Sequence, residues 1–150
     1  MEPFFASYFE CLQTLHRDFM ATFEDLPAEA LDWSPGADMN SLCVLVVHTT
    51  GSGRFWIGIA LGDPPDRDRD LEFQARGLTV AELKARFVAL EDYVHDGLER
   101  ITLADLSLKH LVPNRGDWQV AAGWSLLHAL EHTGLHMGHA QMTRQLWERR

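Results

Sequence analysis

Residues 41–61 read SLCVLVVHTTGSGRFWIGIAL. Apolar side chains occur on every side of this segment rather than along one stripe, which marks a central helix buried all round. Such a helix needs neighbours on each face, so the stretch calls for a bundle of helices around it. Asn40 and Ser41 are good N-caps for its start. Gly51, Gly53 and Gly58 each lower helix propensity by up to about 1 kcal/mol relative to Ala and are expected to permit close packing. The imidazole of His48 interrupts the apolar run LVVHTTG. Buried there, it is costly unless a partner satisfies it.

The neighbours are found on either side. Phe5, Phe9, Leu12, Leu15, Phe19 and Phe23 recur at helical spacing and predict a first helix from about Pro3 to Glu24. Pro3 suits its first turn, where the missing N–H is not needed. The connector LPAEALDWSPGADMN has room for one short helical turn around Ala28–Leu31, and Pro35 with Gly36 breaks anything longer. After the central helix, GDPPDRDRDLEFQARG (62–77) reads as a charged, solvated surface loop. Thr79 with Glu82 forms a capping box that opens a third helix, whose core face is Leu83, Phe87, Leu90, Val94 and Leu98. The stretch 102–119 reads as irregular, with Pro113, Asn114 and Gly116 as breakers, and a fourth helix runs from about Val120 to Glu148. No segment alternates strongly enough to predict a strand. The expected architecture is an all-α four-helix bundle forming one domain over residues 1–150. The long connection between helices 2 and 3 permits these two to lie parallel.

Composition narrows the partners. With 22 acidic and 13 basic residues the net charge is −9, which disfavours nucleic acid. The opening MEPFFASYFECL starts acidic and lacks the pattern of a signal peptide. No run approaches the ~20 continuous apolar residues of a membrane span. Cys11 and Cys43 make neither a disulfide framework nor a CxxC motif, and both read as small core residues. A cytoplasmic location and a small-molecule substrate are expected.

The chemistry is concentrated in LLHALEHTGLHMGHAQM (126–142). At about 100° per residue, His128, His132, His136 and His139 fall within about 80° of one another on one helix face. Imidazoles at i and i+4 have Cβ atoms about 5–6 Å apart and can converge on one ion. A third ligand must then come from another helix, and His48 is the natural candidate. The plainer reading keeps His48 as a hydrogen-bonded core residue and the others as a coincidental stripe; spacing alone leaves the two about even. His16, His95 and His110 lack partners at ligand spacing. Neither HExxH nor paired Glu-x-x-His motifs occur, since position 133 is Thr133.

The order of an N-terminal helix, Trp33-x-Pro35, the Asn40-Ser41 helix start, His48 with the later pair Phe55 and Trp56, and the ending His132-x-x-x-His136-Met-Gly resembles the DinB-like superfamily over nearly the whole chain. That resemblance implies an up-down-down-up four-helix bundle, often dimeric, with one divalent metal held by His48, His132 and His136. It also implies thiol-dependent transferases or isomerases that take glutathione, mycothiol or bacillithiol as cosubstrate. Many relatives carry Glu where this chain has Gly53, and Gln where it has His139; both positions are expected near the mouth of the metal site.

Three imidazoles leave an ion, zinc or nickel, with open positions, as in catalytic sites. The expected function is a metal-dependent thiol S-transferase or hydrolase, acting as a homodimer. His128 and His139 are expected beside the ligands, as orienters or proton carriers. The alternative is a non-catalytic metal-binding module, which the Gly53 position favours.

Overall fold

The computed structural model describes residues 1–150. It is mainly helical, with α1 (Pro3–Ala21), α2 (Ala28–Asp32), α3 (Leu42–Ala60), α4 (Arg69–Glu72), α5 (Val80–Leu98) and α6 (Ala122–Glu148). A 3-10 turn (Leu103–Ser107) and two short strands, β1 (Lys109–Leu111) and β2 (Gln119–Ala121), lie between α5 and α6.

The helix starts follow their local chemistry. The Ser41 hydroxyl accepts the Val44 N–H at 3.2 Å, and Thr79 and Glu82 complete the capping box of α5. All of Leu83, Phe87, Leu90, Val94 and Leu98 are buried. On α1 the buried face is Phe5, Tyr8, Leu12, His16 and Phe19, while Phe9 and Leu15 are only half-buried.

Two apolar clusters fill the interior. One joins the N-terminal half of α1 (Phe5, Tyr8, Leu12), the C-terminal halves of α3 (Trp56 to Ala60) and α5 (Leu90, Val94, Leu98), and the N-terminal half of α6 (Ala122, Leu126, Ala129). The other joins the opposite halves, through Phe19, Leu42 to Val47, Leu83, Phe87 and Ala140. By length and composition α3 could cross a membrane, but 83% of its most apolar 18-residue stretch is buried inside the protein. Small residues on α6 (Ser125, Ala129, Thr133, Ala140, Thr143) are buried as well, and the Ser125 hydroxyl donates to the Trp56 carbonyl at 2.6 Å.

Three readings of the sequence need correction. The stretch 102–119 is not wholly irregular, because β1 and β2 pair antiparallel with His110 opposite Val120. This hairpin sends Val112 and Val120 into the core, which three-residue strands cannot announce by alternation. Cys43 is buried, but Cys11 is exposed. The charged linker is not simply a solvated loop, because it folds back onto α3.

Candidate metal centre

α3 and α6 face each other over much of their length, and that contact sets His48 against the α6 stripe. The imidazole of His48 lies 5.0 Å from that of His132 and 4.9 Å from that of His136, centroid to centroid. One ring nitrogen from each of the three lies within 4.8 Å of the others. The Nε2 atoms of His132 and His136 are 3.2 Å apart. The one-turn spacing on α6 and the crossing of α3 therefore bring three nitrogens to one point.

Burial keeps two of these rings neutral. It is the largest cause pushing the His132 pKa from 6.5 down to about 3, and the neighbouring His136, His48, His128 and Arg67 add to it. His136 is pushed down to about 4, by burial first and then by His48 and His139. Neutral imidazoles are the form in which a metal is bound. The donor set, its convergence and the neutrality of His132 and His136 fit a divalent metal ion.

The sequence reading missed what lies behind His48. Its Nδ1 donates to Glu72 Oε2 at 2.9 Å, leaving Nε2 for the cluster. Glu72 is almost fully buried. Arg67 grips it with two bonds, Nε to Oε1 at 2.7 Å and Nη2 to Oε2 at 2.8 Å. Burial alone would raise the Glu72 carboxyl, but the bonds from Arg67 and His48 outweigh it and hold it below the usual range. A carboxylate on the far nitrogen of a histidine fixes the tautomer and orients the ring. Both residues come from the linker read as solvated, through the short helix α4 and its cap Asp68. The clue in the sequence was Gly51: a Cβ there would overlap Glu72, falling 2.9 Å from its Cδ.

His139 and His128 flank the cluster differently. His139 Nδ1 is 3.3 Å from His136 Nδ1, so it engages the outer nitrogen of that ring. His128 stacks on Trp124 (4.9 Å, 14°) and meets Trp56 edge-on at 4.7 Å. Gly53 is not at the mouth. A Cβ on it would point at Leu90 of α5, 3.0 Å away, because five residues advance a helix by about 500°, some 140° past His48. The remaining histidines lie elsewhere: His16 bonds Glu91 at 2.9 Å, His95 packs against Phe9, and His110 lies beneath Gly62.

The family model of the DinB superfamily matches residues 12–140, a span that includes all three histidines. The chain belongs to the DinB superfamily. Among solved structures, a conserved protein from Enterococcus faecalis is similar in fold, with a TM-score of 0.79 and 18% identity. The match covers 100% of this chain and 99% of that one. No curated protein matches the chain. As a DinB superfamily member it thus joins a helical fold to a histidine cluster able to hold a metal ion.

Proposed function

We propose that His48, His132 and His136 bind one divalent ion, zinc or nickel, and that the chain is a metal-dependent thiol S-transferase or hydrolase acting on a small molecule. The observation that carries this reading is the convergence of three histidine nitrogens from two helices, two of the rings held neutral by burial. When bound, the ion supplies a Lewis acid that lowers the pKa of a thiol or water. The protein's own groups do the rest. Glu72 and Arg67 fix the His48 ring, His139 braces His136, and His128 packs against Trp56 and Trp124 next to His132.

The arrangement of the two apolar clusters supports an up-down-down-up four-helix bundle, since the N-terminal ends of α1 and α6 share one cluster with the C-terminal ends of α3 and α5. We read residues 1–150 as one domain, a cytoplasmic homodimer that takes a small-molecule substrate and a low-molecular-weight thiol. One observation favours a second reading, a non-catalytic metal module: the carboxylate next to the cluster, Glu72, is already tied up by Arg67 and His48 rather than held free as a base. Turnover of small electrophiles with each thiol, and of esters without thiol, separates the two. Metal-dependent turnover lost in His136→Ala supports the enzyme; no turnover by metal-loaded protein on either substrate set supports the module.

A further inference from the structure

A cavity of about 160 Å³ lies between α3, the linker after it and the turn after β1, walled by Phe55, Trp56, Pro64, Pro65, Val112 and Pro113. Arg67, Arg69 and Arg115 line it too, with Asp66 as the only lining carboxylate. That is an unusual concentration of cations on a chain of net charge −9. Each guanidinium is seated over an aromatic ring: Arg67 over Phe55 at 5.5 Å, Arg69 over Phe73 at 4.7 Å, and Arg115 over Trp118 at 5.7 Å. Arg69 and Arg115 make no salt bridge, whereas Lys84 and Arg144 pair with carboxylates.

The backbone builds this arrangement. Gly58 of α3 lets Pro64 and Pro65 press against the helix, where a Cβ would lie 2.6 Å from Pro65 Cδ. The turn after β1 takes left-handed backbone at Asn114 (φ 62°) and Gly116 (φ 60°), on either side of Arg115. Arg67 joins the cavity to the cluster, since its Nη2 lies 3.4 Å from His48 Nδ1.

We infer that this cavity binds a small organic carboxylate, its charge held by Arg69 and Arg115 and its apolar body by Trp56 and the prolines. Guanidinium forks match a carboxylate, and the apolar walls select an organic body over inorganic phosphate. That the anion is the substrate rests on the metal-centre reading; its binding does not.

Isothermal titration of zinc-incubated protein with phenylacetate, neutral phenylacetamide and inorganic phosphate tests this, with zinc content measured on each sample. Phenylacetate is expected to bind more tightly than either comparison compound. In R69A/R115A its affinity should fall by at least about tenfold, the loss of one charge-assisted pair, with zinc content unchanged. Equal binding of phenylacetamide, or undiminished binding in R69A/R115A as for a carboxylate resting on the metal, overturns the inference. If wild-type protein retains no zinc yet binds phenylacetate through the arginines, the anion site stands and the metal reading falls.

Discussion

Replacing Gly51 by alanine should destabilise the protein, although the same change at an exposed helical site stabilises it. In an unobstructed helix Gly→Ala gains up to about 1 kcal/mol. Here the new Cβ would occupy the space of the Glu72 carboxylate, 2.9 Å from its Cδ. Glu72 must then swing outward, which breaks its double bond with Arg67 and its bond with His48. Disrupting a buried ion pair costs about 3–5 kcal/mol, and the flexible glutamate can reach solvent, so the lower end applies. The net loss is about 2 kcal/mol, or roughly 4–8 °C in melting temperature for a chain of this length. His48 also loses the partner that fixes its ring, so zinc affinity should fall about 10–100-fold. Gly53→Ala is the control on the same helix: its Cβ meets only the movable Leu90 side chain at 3.0 Å, so stability changes little and zinc affinity not at all. Thermal melts of the metal-free proteins, with zinc titrations against a chromophoric chelator, read both quantities. A Gly51→Ala protein that melts with wild type and binds zinc equally well would refute the Glu72–His48 account.

Acid should destabilise the metal-free fold before its carboxylates titrate. His132 and His136 have pKa values pushed down to about 3 and 4 in the fold, against 6.5 when unfolded. The unfolded chain therefore takes up protons that the fold refuses, and stability falls as pH drops below 6.5 toward 4; urea melts should show a slope that His132→Gln/His136→Gln lacks. Phe87 is fully buried between Phe19 and His16, so Phe87→Ala should lose about 3–5 kcal/mol in urea denaturation.

The parts of the fold legible in the sequence are those governed by local rules. The Thr79–Glu82 capping box and the core face Leu83 to Leu98 predicted α5 nearly to its ends. The all-round burial of α3 followed from its composition, and the single face shared by the α6 histidines followed from helical angles. Contacts between segments distant in sequence were harder to read. β1 and β2 exist because residues eight to twelve apart pair across a turn, and each is too short for a periodic pattern. Arg67 and Glu72 sit in a charged run that resembles any solvated loop, and the missing side chains at Gly51 and Gly58 mark where it docks. Analogy with relatives puts Gly53 at the mouth, whereas helical geometry turns it toward α5.

Elemental analysis of tag-free protein after incubation with zinc and nickel asks whether α3 and α6 jointly hold a metal. Close to one divalent ion per chain is expected in the wild type, with loss of that ion in His48→Ala and His132→Ala proteins that remain folded. No retained metal in the wild type, or an ion that persists in both variants, would contradict it.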